Sequence, residues 1–163
     1  MTNDPGQIKI SSHHLEMIRH HAETDYPHEC CGLLLGHIVA DRKEVVKAIA
    51  TQNSWDATEA AAFAEATGQP PRDGEQNSNF SIAPAEMLRV QKQARVENLD
   101  IVGIYHSHPD REAKPSEFDC AIAWPIYSYL IVSVVQGKAE TILSWVLDEE
   151  GQFQAENIVI YNG

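Results

Sequence analysis

A chain of 163 residues with 12 basic and 24 acidic side chains carries a formal charge of −12. The length suits one domain with its own core. The charge excludes nucleic acid or an anionic membrane surface as a general partner, because both need a basic face. Residues 1–10 are polar and lack the apolar run of a secretory signal. The longest apolar stretch, 127–135, is too short to span a bilayer. Three cysteines, an odd number without framework spacing, point to a reducing, cytoplasmic setting.

Ser11 or Ser12 caps a first predicted helix running to about Thr24, with Leu15, Ile18 and Ala22 as its apolar stripe. Residues 31–37 and 43–50 read as a strand pair across a short link. An alanine-rich stretch, 58–67, predicts a short helix ended by Gly68. Residues 69–79 contain almost no apolar side chain and are expected to be mobile. The whole of 54–79 therefore reads as a flexible insertion in a single domain spanning 1–163. Phe80-Ser81-Ile82 reads as a strand, and Pro84 opens a helix to about Asn98. The apolar run Ile101-Val102-Gly103-Ile104-Tyr105 predicts a buried strand. Strands over 127–135, 140–147 and 157–160 follow. Strands outnumber helices and many are sequential neighbours, which predicts an α/β sandwich: a mixed, largely antiparallel sheet flanked by two long helices.

The chemistry concentrates at the end of the central strand. His106 and His108 alternate on it, so both side chains share one face and can converge on a point. If Pro115 and Ser116 start a helix, Asp119 turns back toward that point. Two imidazoles and one carboxylate leave a fourth tetrahedral position for water, the ligand count of a catalytic zinc. Two plainer readings stand beside this one. A pair of strand histidines is often satisfied by backbone carbonyls, and Ser116-x-x-Asp119 is also a capping box. Cys30, Cys31 and Cys120 lack a Cys-x-x-Cys pair and read as small, buried or half-buried residues, with Cys120 at the rim of the site. His13, His14, His20 and His21 are expected to be exposed on or near the first helix, and His28 lies beside Glu29.

His106-x-His108-Pro109, six residues, then Ser116-x-x-Asp119 resembles the signature of the JAMM (MPN+) metalloproteases, and Glu29 before Cys30-Cys31-Gly32-Leu33-Leu34-Leu35-Gly36 resembles that family's upstream glutamate motif. The resemblance implies an MPN-like, cytidine-deaminase-like sandwich and one Zn²⁺ per chain on His106, His108 and Asp119. It implies Glu29 as general base and Ser116 as stabiliser of the oxyanion. It further implies hydrolysis of a peptide or isopeptide bond at the C-terminal tail of a ubiquitin-like protein or a ThiS/MoaD-type sulfur carrier, taken up by β-augmentation. Two alternatives are a catalytically silent MPN scaffold, disfavoured by the complete residue set, and a RadC-type protein, disfavoured by the acidic charge and the Glu29 motif.

Overall fold

The structure, a computed structural model, describes residues 6–70 and 72–163. In chain order the elements are β1 (Gln7–Ser11), α1 (Ser12–Asp25), β2 (Cys31–Val39), β3 (Arg42–Thr51), α2 (Ala57–Thr67), α3 (Pro84–Val96), β4 (Asp100–Pro109), α4 (Glu117–Ile122), β5 (Ser128–Val135), β6 (Lys138–Leu147) and β7 (Phe153–Tyr161). The expected mixed α/β domain is present, but the sheet closes on itself in the order β1-β3-β2-β4-β5-β6-β7 instead of lying open between two helix layers. The closing element is β1, which runs parallel to both β3 and β7. Sequence reading missed it because the N-terminal segment is polar overall; its two isoleucines, Ile8 and Ile10, are nevertheless fully buried. Such a closed sheet has no edge strand along its paired length.

Helix α1 begins at the Ser11 cap, whose hydroxyl accepts the His14 N–H, and buries Leu15, Ile18 and Ala22 as predicted. It touches β1, β3, β4, β5 and β6, so the sheet curls around it. Its core includes Ile8, Leu34, Val102, Tyr105 and Val132. A second core lies under α2 and α3 and joins Leu33, Leu35, Trp55, Phe80, Val90 and Phe118. Gly68 ends α2 in the left-handed conformation with φ 69°. Residues 80–82 form no strand: they run as a loop held by the Asn53 side chain, which accepts the Ser81 N–H. No helix among the described residues is long and apolar enough to cross a membrane.

One irregularity decides where β4 aims its side chains. Leu34 pairs with Gly103 and Leu35 with Ile101, so Val102 is an extra residue. That bulge reverses the alternation. Ile101 and Ile104 both face the second core while Val102 and Tyr105 face the first. His106, stacked on Phe80, continues the second-core side.

Candidate metal and catalytic site

The five residues singled out in the sequence meet at the C-terminal end of β4. His106 and His108 are fully or almost fully buried, with ring centroids 5.0 Å apart. Their Nε2 atoms lie 3.1 Å and 3.2 Å from the two oxygens of Asp119. Asp119 reaches them because α4 starts at Ser116, whose Oγ accepts the Asp119 N–H while Asp119 Oδ2 accepts the Ser116 N–H at 2.8 Å. The capping box and the approach to the histidines therefore coexist in one carboxylate. Glu29 comes from the chain just before β2 and is 1% exposed. Glu29, His106 and His108 each offer a ligand atom, and these atoms lie within 4.8 Å of one another.

The donor chemistry fits a cation. His108 Nδ1 sits 2.8 Å from the Glu112 carbonyl oxygen, which only accepts. Nδ1 therefore carries the proton, and the neutral ring turns the Nε2 lone pair toward Asp119. His106 is buried with neither ring nitrogen in a hydrogen bond. Lone pairs of two imidazoles and two buried carboxylates thus face one small volume, an arrangement that a proton or a metal ion relieves.

The charges respond to this crowding. Burial pushes the Glu29 carboxyl up to about 7, against the opposing pull of His106 and Arg111. Burial disfavours the charged form of His106, but Asp119 outweighs that and raises its pKa. For His108 burial prevails and lowers it. Burial also works against ionised Asp119, yet the two histidines hold it well below the usual carboxylate range.

Several contributors were not legible in the sequence. Ser107, on the opposite face of β4, accepts the Cys30 N–H at 2.8 Å and so fixes the backbone next to Glu29. The Glu29 N–H donates to the Gln76 carbonyl at 2.7 Å, and the Asn53 side chain donates to the Glu29 carbonyl at 3.0 Å. Gln76, within the polar stretch, thus holds the backbone of Glu29 by one hydrogen bond. The Phe80 ring stacks on His106 at 4.5 Å, and Arg111 Nη2 faces Glu29 Oε2 at 3.4 Å. An aromatic residue after a polar stretch and an arginine two positions past the His-Pro were the only signals available, and neither is specific.

The remaining candidates separate. Cys30 and Cys31 are buried in opposite cores, and Cys120 is exposed. His13, His20 and His28 are exposed, but His14 and His21 are half-buried. His21 Nδ1 lies 2.8 Å from the Tyr105 hydroxyl and its Nε2 lies 3.2 Å from Asp25.

Comparison with known proteins agrees with this layout. The family model of the prokaryotic homologs of the JAB domain matches residues 11–148. A protein of Haloferax volcanii named desampylase is 32% identical over 136 residues, which cover 83% of this chain and 82% of that protein. A desampylase of Pyrococcus furiosus is 34% identical over 83 residues, half of this chain and 56% of that protein. A solved structure of a Desulfitobacterium hafniense protein superposes with a TM-score of 0.75 at 28% identity, covering 96% of this chain and 94% of the other. The family match takes in Glu29 and the whole His106-to-Asp119 run, and the chain belongs to the prokaryotic JAMM (MPN) family, that of the JAB-domain homologs.

Proposed function

We propose that the chain is a zinc-dependent metallopeptidase or isopeptidase acting at the C-terminal tail of a ubiquitin-like or ThiS/MoaD-type carrier protein. The observation that carries this reading is the convergence of buried donors from Glu29, His106, His108 and Asp119 on one volume. The desampylase name of two relatives supports a hydrolase. His106, His108 and Asp119 would hold the metal, both Asp119 oxygens facing the two Nε2 atoms. Zn²⁺ bound there supplies Lewis acidity, lowering the pKa of water and polarising a carbonyl oxygen.

The chain's own groups do the rest. Glu29, poised near neutrality, accepts the proton of the attacking water and returns it to the leaving amine. Ser116 Oγ already accepts the Asp119 N–H, which leaves its own O–H to donate to the oxyanion. Phe80 stacks on His106 and keeps water off that ring. A tail ending in glycines suits a site this deeply buried, because glycine lets the backbone approach closely. The test is to incubate zinc-loaded protein with a carrier extended by a few residues beyond its terminal Gly-Gly and to read the products by mass spectrometry. Cleavage after the glycines is expected. Hydrolysis of unrelated peptides with every carrier left intact would refute the substrate, and no hydrolysis at all would refute the activity.

A further inference from the structure

The two histidines at the end of β4 are held in different ways. His108 donates from Nδ1 to the Glu112 carbonyl at 2.8 Å. A histidine that ligates a metal commonly uses its second ring nitrogen like this, and the bond fixes the ring. His106 has no such anchor. It is fully buried, and among the described residues neither of its ring nitrogens makes a hydrogen bond. The torsion that turns a histidine ring is intrinsically broad, so something other than the side chain itself must set this one. Phe80 lies flat against it, with ring centroids 4.5 Å apart and planes inclined by 19°. The stack sets the plane of the imidazole, and Asp119 Oδ1, 3.1 Å from Nε2, selects the edge that faces the site.

Phe80 is itself clamped. The Asn53 side chain donates to the Asn79 carbonyl at 2.9 Å and accepts the Ser81 N–H at 3.1 Å, one bond on each side of Phe80. The Ser81 carbonyl accepts the Ser54 N–H at 2.8 Å. The Phe80 ring meets the Phe118 ring nearly at right angles, with centroids 5.9 Å apart. Backbone and ring are both fixed, as an orienting group requires. We infer that Phe80 is the positioning residue for His106, its flat face taking the part that the Glu112 carbonyl takes for His108. This rests on the reading of His106 as a metal ligand. The two imidazoles then depend on different chemistry: one on a backbone acceptor, the other on an aromatic face. At position 80 an apolar side chain of similar bulk but without a face fills the core and leaves His106 free to turn.

The experiment uses the full chain as wild type, Phe80→Met, Phe80→Tyr and, as a control, Phe63→Leu. Methionine is flexible and fills the gap without a flat face, and tyrosine keeps the face. Phe63 belongs to the same core, and its ring contacts are to Trp55 and Phe118. Each protein is titrated with Zn²⁺ by calorimetry and with Co²⁺, whose visible absorption reports the geometry of its ligands. Phe80→Met is expected to weaken zinc by about tenfold or more, the usual loss when the outer partner of a ligand is removed, and to change the cobalt spectrum. Phe80→Tyr should restore both, and Phe63→Leu should bind as wild type does. Wild-type affinity and spectrum in Phe80→Met, or an equal loss in Phe63→Leu, would overturn the inference. If wild type itself takes up no metal, the metal reading fails, while carbon-13 relaxation of the His106 ring in the metal-free protein still decides the positioning. A ring as rigid as that of His108 in wild type and mobile in Phe80→Met upholds it. A ring equally rigid in both proteins, or mobile already in wild type, refutes it.

Discussion

Glu29 and Asp119 are two carboxylates beside the same pair of histidines, and their surroundings push them apart. The Asp119 carboxylate touches both imidazoles and accepts the Ser116 N–H at the start of α4, and the histidines hold it ionised. Glu29 is buried at the same site, and burial raises it to about 7 against the opposing pull of His106 and Arg111. A ligand is best when permanently charged, and a proton carrier is best when its pKa lies near working pH. Glu29→Gln keeps size and hydrogen-bonding shape but cannot take a proton. Its kcat is expected to fall by about 10²–10⁴, with zinc affinity within a few-fold of wild type by calorimetric titration. His108→Ala should instead lose most zinc affinity. Equal loss of zinc in both variants would make Glu29 a ligand. In metal-free protein the sign of the pH effect follows from the raised value. Glu29 holds a proton more firmly folded than unfolded, so its contribution is present below its ordinary range and is lost as pH rises through about 7. Denaturant melts of metal-free wild type and Glu29→Gln should therefore diverge on going from pH 4.5 to 8, with the wild type the one that weakens.

At the scale of elements, the site depends on two short pieces of geometry. The first is the start of α4, where Ser116 serves as cap and is proposed to serve the oxyanion as well. Alanine and glycine separate these roles. Alanine at an N-cap costs about 1 kcal/mol and glycine only a few tenths, while neither has a hydroxyl. Ser116→Ala should lose stability and Ser116→Gly should nearly keep it, with kcat reduced about 10²-fold in both. Full activity in Ser116→Gly would leave the serine a cap alone. The second piece is the crossing of β2 and β4, where Gly32 pairs with Tyr105. A Cβ on Gly32 would overlap the Tyr105 ring and hydroxyl. That hydroxyl is bound to His21 of α1, so the glycine lets the ring lie across β2 and tie helix to sheet. Gly32→Ala is expected to destabilise by about 1–3 kcal/mol, the usual cost of overpacking, measurable by chemical denaturation. A cost within 0.5 kcal/mol of zero would mean that the ring moves aside freely.

For the whole molecule, the sequence carried what is local and hid what is distant. His106, His108, Ser116 and Asp119 lie within one strand-to-helix turn, so periodicity and capping chemistry exposed them. The caps and stripe of α1, the Gly68 stop and the Pro84 start were legible for the same reason. Barrel closure was not, because it depends on β1 finding β3 and β7, partners 35 to 150 positions along the chain. Nor were Phe80, Ser107 and Arg111, whose roles come from contacts that the fold brings together. Nor were the contacts of the polar stretch: Trp55 Nε1 donates to the Asp73 carbonyl, and the Gln76 amide donates to the carbonyls of Asn53 and Trp55, so side chains link 72–79 to the segment between β3 and α2. A metal would join two of these parts at once, since its proposed donors come from β4 and from α4. Binding to the folded state alone stabilises by RT ln(1 + [Zn]/Kd), about 2.7 kcal/mol at a hundredfold excess over Kd. For a domain of this size that is a rise in Tm of about 5–10 °C. Thermal unfolding followed by circular dichroism, with zinc and with chelator, should show that rise in wild type and in Glu29→Gln but not in His108→Ala. A rise of equal size in His108→Ala would move the metal away from the end of β4.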